Sequence, residues 1–83
     1  MSQVKIFTTQ WCAYCRAEKQ FLDQKKVKYT AVDVEADPVA AQEMIRLTSQ
    51  MGVPVTLITH DDGSKAAVVG FDRDWLSREL RLR

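Results

Sequence analysis

The chain has 83 residues, a hydrophobic fraction of 46% and a formal net charge of +1. This length allows one domain with a modest core, which we expect to span residues 1–83, and the hydrophobic fraction argues against a disordered chain. The interspersed charges disfavour nucleic-acid binding, and no segment approaches the roughly 20 apolar residues that a membrane span needs. Lys5 and Gln10 interrupt any apolar core of a signal peptide, so we expect a cytoplasmic protein.

The first part of the chain predicts a strand, a helix and a second strand. Residues 4–7 have the composition of a short strand. Residues 13 to about 26 repeat apolar side chains at helical spacing, namely Tyr14, Ala17, Phe21 and Leu22. Residues 28–34 favour a second strand. Parallel strands need a crossover connection, so this order is typical of a right-handed βαβ unit.

The middle of the chain predicts a second helix. Asp37 precedes Pro38, which gives a capping carboxylate and a proline at the first helical position. The helix should extend to about Ser49, before the expected stop at Gly52. We expect its buried side chains to be Ala41, Met44, Ile45 and Thr48 or Leu47, and we expect Met51 to fill the core as well.

The last part of the chain predicts a hairpin and a final helix. Residues 54–59 are apolar enough for a strand buried on both faces, and residues 61–64 predict a tight turn into a strand at residues 65–69. Asp72 should cap a helix that carries Trp75, Leu76 and Leu80 and ends in a solvated cluster of Arg78, Arg81 and Arg83. The order βαβαββα predicts an α/β fold, with a four-stranded mixed sheet and three helices.

Two cysteines, the only ones in the chain, lie between the first predicted strand and the first predicted helix. They occur in the run Trp11-Cys12-Ala13-Tyr14-Cys15. In a reducing compartment such a pair is more typical of catalysis or metal binding than of a structural disulfide. Its position at a strand-to-helix junction predicts a dithiol that opens and closes a disulfide.

The two cysteines should differ in their chemistry. We expect Cys12 to be exposed at the start of the helix, where unpaired N–H groups and the helix dipole stabilise a thiolate and lower the pKa of the thiol. Arg16 and Lys19 add positive charge nearby. Cys12 would therefore be the nucleophile, and Cys15, one turn further and more buried, would resolve the mixed disulfide.

Two other classes of function stay open at this point. Cys12 and Cys15 could supply half of a zinc or iron–sulfur site shared between two chains, because a closed zinc site needs four ligands. His60, the lone histidine, is expected to lie away from the dithiol. The other class is a binding module without redox chemistry, against which an exposed thiol at a helix start argues.

Three segments resemble the glutaredoxin family of the thioredoxin fold: the motif from Cys12 to Cys15, residues 52–55 and residues 69–72. The resemblance covers essentially the whole chain. It is stronger to the small glutaredoxin-like redoxins, including those that serve ribonucleotide reductase, than to glutathione-dependent glutaredoxins. It implies that Pro54 has a cis peptide bond and faces the dithiol, where the backbone of Val53 meets an extended substrate. A trans bond at a strand edge is the structural alternative.

The resemblance also implies that side chains around the dithiol bind the substrate. Trp11 and Tyr14 would form an apolar rim, Gly70 and Phe71 would border the same groove, and Asp72 would hold a glutathione amine. Each side chain has a structural alternative, which is core packing for the aromatic residues and helix capping for Asp72.

The activity implied by the resemblance is that of a thiol–disulfide oxidoreductase acting on protein or small-molecule disulfides, as a monomer and without a bound cofactor. Its electrons would come from glutathione, as a co-substrate, or from a thioredoxin-reductase-type flavoenzyme. Dithiol glutaredoxins commonly have proline where this chain has Ala13, a basic residue near Thr9, and a second glycine in place of Phe71. These departures weaken a preformed glutathione site and favour the flavoenzyme.

Overall fold

The computed structural model describes residues 2–82, and its elements follow the predicted order βαβαββα. Over those residues the strands are β1 (Gln3–Thr8), β2 (Thr30–Asp33), β3 (Val55–Thr59) and β4 (Lys65–Val69), and the helices are α1 (Ala13–Gln24), α2 (Pro38–Thr48) and α3 (Arg73–Leu80). The predicted α/β fold is confirmed for this part of the chain, with element ends displaced by one or two residues. Met1 of the predicted domain and Arg83 of the predicted arginine cluster lie outside the described residues.

The sheet of the described chain has the strand order β2-β1-β3-β4. β1 pairs with β2 in parallel and with β3 in antiparallel, and β3 pairs with β4 in antiparallel. The last pair of the β1–β3 ladder joins Phe7 to Val55. Because β1 leads on to the cysteines and β3 starts directly after Pro54, the cysteine motif and the proline leave the sheet at the same end.

The side chains of β1 and β3 alternate between two hydrophobic clusters on opposite faces of the sheet. α1 and α3 cover one face, in a cluster formed by Val4, Ile6, Leu22, Ile58 and Leu76. α2 covers the other face, in a cluster formed by Phe7, Ala40, Met44, Val55 and Leu57. Helices on both faces explain why β3 is buried along most of its length, as the sequence predicts.

Nearby side-chain and backbone groups form hydrogen bonds with the unpaired N–H and carbonyl groups at the ends of the helices. The carboxylate of Asp37 accepts hydrogen bonds from two N–H groups in the first turn of α2, at 3.1 and 3.2 Å, which confirms the predicted cap. After α1, the N–H groups of Lys26 and Val27 donate to the carbonyls of Asp23 and Leu22, which is the pattern of a Schellman motif. Lys26 takes the left-handed position of this motif, with a φ of 59°.

Two predictions about the core are wrong, those for Ile45 and Met51. Ile45 is exposed although the sequence predicts it to be buried, and of the alternatives Thr48 and Leu47, Thr48 is half-buried and Leu47 is exposed. Ala40 and Met44 are the buried residues of α2, because they lie four residues apart on the face that meets the sheet. Met51 is 76% exposed, since it follows the end of α2 and lies outside the helix face that packs on the sheet.

Candidate active site

Cys12 is the N-cap residue of α1, with an extended backbone. Its Sγ accepts a hydrogen bond of 3.1 Å from the backbone N–H of Cys15, and its carbonyl accepts one of 3.2 Å from the N–H of Arg16. The sulfur therefore takes the place that a serine or aspartate oxygen has at an ordinary helix cap. The N–H of Cys15, aimed at this sulfur, favours a negative charge on it.

Cys12 and Cys15 form a disulfide, with their Cα atoms 5.2 Å apart. Cys15 is 1% exposed, which confirms its predicted burial. Cys12 is half-buried, although the sequence predicts it to be exposed, because its sulfur is bonded to that of a buried residue. The two sulfurs thus differ in accessibility, so an incoming group reaches Cys12 more readily than Cys15.

The peptide bond between Val53 and Pro54 is cis, as predicted. Pro54 is buried, and its carbonyl accepts a hydrogen bond of 2.8 Å from the N–H of Gly70. Gly70 has a φ of +85°, a backbone conformation that glycine adopts without steric cost. The structure therefore brings Pro54 and Gly70 together, two of the residues predicted for the substrate groove.

A side-chain amide holds the loop that precedes Pro54. The amide oxygen of Gln50 accepts from the N–H of Gly52 at 2.6 Å, while its Nε2 donates to the carbonyl of Gly52 at 3.0 Å. The same Nε2 lies 3.1 Å from Oγ1 of Thr48, at the end of α2. Gln50 thus clamps both polar groups of the Gly52 backbone and ties the loop to the helix, a role that the sequence analysis missed.

Large apolar side chains around the cysteine motif and this loop are open to solvent. Trp11 is 82% exposed and Tyr14 is 72% exposed, so the core-packing alternative is wrong for both. Met51, in the loop held by Gln50, is exposed to a similar degree. Trp11 and Tyr14 flank the cysteines and Met51 precedes the cis peptide bond, so these exposed apolar side chains are available for contact with a partner.

The structure gives Phe71 and Asp72 local roles. Phe71 is half-buried, and its ring centroid lies 5.7 Å from that of Phe21 on α1. The guanidinium of Arg73 lies 5.7 Å from both rings. The carboxylate of Asp72 accepts from the N–H of Trp75 at 3.0 Å, so its predicted capping role is confirmed. Contact of either residue with a substrate stays a prediction.

Glu18 is a buried acidic residue that the sequence analysis missed. It is 0% exposed, and Thr56 on β3 donates a hydrogen bond to its Oε2. Its Oε1 is buried and has no hydrogen-bond partner. Burial raises the pKa of this carboxyl, and the hydrogen bond from Thr56 only partly opposes the effect. Glu18 lies three residues after Cys15 and four residues before Leu22. This spacing places all three side chains on one face of a helix, so the sequence pattern could have indicated that Glu18 is buried.

Pro54 precedes β3 and His60 follows it, so the two residues lie at opposite ends of this strand. His60 is therefore far from the cysteine end of the sheet, as the sequence predicts. It interacts with Glu79 on α3, at 3.0 Å between Nε2 and Oε1. Within residues 2–82, no three His, Cys, Asp or Glu side chains are grouped so that they could hold a metal ion. In the same part of the chain, no helix is long and apolar enough to cross a bilayer.

The chain is similar to known proteins both in its fold and in its sequence. The sheet and its covering helices define a thioredoxin-like fold, and the chain matches the glutaredoxin-like NrdH-redoxin from Escherichia coli with a TM-score of 0.74, at 25% identity over 92% of each chain. A family model described as Glutaredoxin matches residues 4–61. A glutaredoxin-like 8.6 kDa protein of Clostridium pasteurianum is 36% identical over 70 residues, which cover 84% of this chain and 87% of the relative. The glutaredoxin of Pseudomonas aeruginosa is 35% identical over 65 residues, which cover 76% and 77%.

The chain belongs to the glutaredoxin family, because the family model matches more than half of its length and relatives above 30% identity span most of it. Its activity is that of a thiol–disulfide oxidoreductase.

Proposed function

We propose that the protein reduces disulfides through Cys12 as the nucleophile and Cys15 as the resolving thiol. The observation that carries this proposal is the hydrogen bond from the N–H of Cys15 to Sγ of Cys12, at the start of α1. An amide aimed at the sulfur favours the thiolate, which is the form that attacks disulfides. The difference in burial between the two cysteines supports the same order of roles.

The reaction proceeds in two exchanges. The thiolate of Cys12 attacks one sulfur of the substrate disulfide, the substrate S–S bond breaks, and its other sulfur leaves as a thiolate that takes up a proton. Cys15 then loses its proton and attacks the sulfur of Cys12. The bond between Cys12 and the substrate breaks, the second substrate thiol leaves, and two electrons have passed from the cysteine pair to the substrate.

The substrate is an extended segment of a protein disulfide. The backbone of Val53, before the cis bond, receives the extended chain, with Pro54 and Gly70 behind it. Trp11, Tyr14 and Met51 contact the apolar side chains that flank the substrate cysteine; their exposure supports this role. The protein acts as a cytoplasmic monomer and holds no cofactor of its own.

The electron donor is a thioredoxin-reductase-type flavoenzyme, with glutathione as a secondary co-substrate. The residues before Trp11 are Thr8, Thr9 and Gln10, which offer no cation to a glutathione carboxylate. One carboxylate oxygen of Asp72 already accepts a hydrogen bond from the N–H of Trp75 at the start of α3, so this oxygen is less available to a glutathione amine. The NrdH-redoxin of Escherichia coli, a structural relative, is described as glutaredoxin-like with a thioredoxin-like activity profile.

The roles of the two cysteines are tested with insulin as the disulfide substrate. We expect Cys15→Ser to accumulate a mixed disulfide at Cys12, visible by mass spectrometry, because nothing resolves it. Cys12→Ser should leave no measurable reduction of insulin. Insulin reduction by Cys12→Ser, or full turnover by Cys15→Ser, would contradict the assignment.

The electron donor is tested by consumption of NADPH in two coupled assays. One contains thioredoxin reductase, and the other contains glutathione with glutathione reductase. We expect the first to support the higher rate, with Cys12→Ser as the inactive control in both. A rate that requires only glutathione and its reductase would reverse the choice of donor without affecting the roles of the cysteines.

A further inference from the structure

Glu18 lies on the same buried face of α1 as the resolving cysteine. Within the described residues, Cys15, Glu18 and Leu22 are the buried residues of this helix. Side chains three residues apart are neighbours on a helix surface, and helical side chains lean toward the N-terminus. We therefore expect the carboxyl of Glu18 to lean toward the turn that holds Cys15, and its hydrogen bond from Thr56, two residues after Pro54, places it near the same end of the sheet.

The face of the sheet that α1 covers is largely apolar, and one of its hydroxyls contacts Glu18. The sheet face that α1 covers contributes Ile6 and Ile58, and α3 contributes Leu76, all of them buried. The hydroxyl is that of Thr56, which donates to Oε2 and leaves Oε1 without a partner.

Charged groups do not explain the burial of Glu18. The basic residues nearest to it on α1 are Arg16, which is exposed, and Lys19, which is half-buried. The causes that shift the pKa of Glu18 are burial and the hydrogen bond from Thr56, with no contribution from a charged neighbour. A buried carboxyl with one unpartnered oxygen costs stability, which calls for a reason to keep it at this position.

We propose that Glu18 exchanges a proton with Cys15 during each opening and closing of the disulfide, an inference that rests on the function proposed above. When a reductant thiolate attacks Cys12, the disulfide breaks and Cys15 leaves as a thiolate in a buried position. The neutral carboxylic acid of Glu18 gives its proton to this sulfur, so that a thiol and a carboxylate remain. In the reverse step the carboxylate takes the proton back, and Cys15 attacks the mixed disulfide as a thiolate.

The buried environment makes a carboxyl suitable for this exchange. Because burial raises the pKa of Glu18, its acid form persists at a higher pH than that of an exposed glutamate. Its carboxylate is correspondingly a stronger base, closer in proton affinity to a thiol. Thr56 fixes the orientation of the group through Oε2, which leaves Oε1 for the proton.

The test measures reduction of the disulfide between Cys12 and Cys15 by dithiothreitol, with rapid alkylation and mass spectrometry, from pH 5 to pH 9. We expect Glu18→Gln to slow this reduction by about 10²-fold at neutral pH, in line with the usual contribution of a positioned acid, and to remove one inflection from the pH profile. Glu43→Gln is the matched control, because Glu43 lies on α2, against the other face of the sheet. Its rate and profile should equal those of the unmodified protein.

A rate and pH profile of Glu18→Gln that match those of Glu43→Gln would overturn the role of Glu18. Failure of Cys15→Ser to form a mixed disulfide at Cys12 would instead overturn the function on which it rests, so the two failures are distinguishable. If Glu18→Gln does not fold, the carboxyl of Glu18 is titrated by carbon-13 NMR in the unmodified protein. We expect its pKa to differ between the disulfide and dithiol forms, and equal values in both forms would refute the exchange.

Discussion

The buried pair of Glu18 and Thr56 allows a double-mutant cycle with a definite expected pattern. Thr56→Val removes the hydroxyl with little change of shape and leaves both carboxyl oxygens without a partner. An unsatisfied buried polar group costs about 1–3 kcal/mol, so this single change should destabilise the protein by that amount. Glu18→Met removes the carboxyl and leaves a single hydroxyl, which can turn toward a backbone carbonyl.

The double variant, Glu18→Met with Thr56→Val, replaces both polar partners by apolar groups of similar shape. Such replacements are nearly neutral or stabilising, so the double variant should be at least as stable as the unmodified protein. The two substitutions should therefore be non-additive by about 1–3 kcal/mol. The assay is urea unfolding of the disulfide form at neutral pH, with the slope of the unfolding free energy checked for two-state behaviour.

The difference in stability between Glu18→Met and the unmodified protein should also depend on pH. Because burial raises the pKa of Glu18, the native state binds more protons than the unfolded state between the two pKa values. The cost of ionising Glu18 in the folded protein is therefore absent below its unfolded pKa, and the protein loses stability as the pH rises through the folded pKa. The free energy of unfolding of Glu18→Met, minus that of the unmodified protein, should increase with pH over this range. A constant difference, or additive effects in the cycle, would refute the reasoning.

Three further predictions concern local backbone and caps, and each is measured by urea unfolding. Lys26→Gly should stabilise the protein by about 1 kcal/mol, because Lys26 has a φ of 59°; destabilisation would contradict this. Asp37→Ala should cost about 1 kcal/mol through loss of the α2 cap, whereas Asp37→Asn should cost much less; equal losses would show that the cap is not the cause. Gly70→Ala should cost about 1–2 kcal/mol, because φ is +85° while no atom lies within 4 Å of the added Cβ, and Gly70→Asn should cost less; equal costs would point to a steric cause.

The sequence was sufficient for the order of the elements because strand and helix signals alternate clearly. Asp37 before Pro38 marks one helix start without ambiguity, and the cysteine motif marks another. The buried face of α2 was harder to predict, since apolar residues occur all around the helix. Ile45 and Leu47 are as apolar as Met44, and only the position of the sheet decides which of them is buried.

The site was predictable where chemistry is tied to residue type and less so where it depends on packing. The roles assigned to Cys12, Cys15 and Pro54 follow from properties that few other residues have. Glu18 and Gln50 are polar residues that composition assigns to the surface. Their contacts, with Thr56 in one case and with Gly52 in the other, join segments that the sequence does not show to be neighbours.

The clamp that Gln50 places on the Gly52 backbone has a consequence for recognition. A loop held at one end by a carboxamide, and at the other by the N–H of Gly70, has few backbone conformations available to it before a partner binds. Association then requires little loss of conformational entropy on this side, so nearly all of the ordering cost falls on the incoming polypeptide. Under the proposed function, we therefore expect disulfides in flexible or locally unfolded segments to be reduced faster than those held in rigid folds.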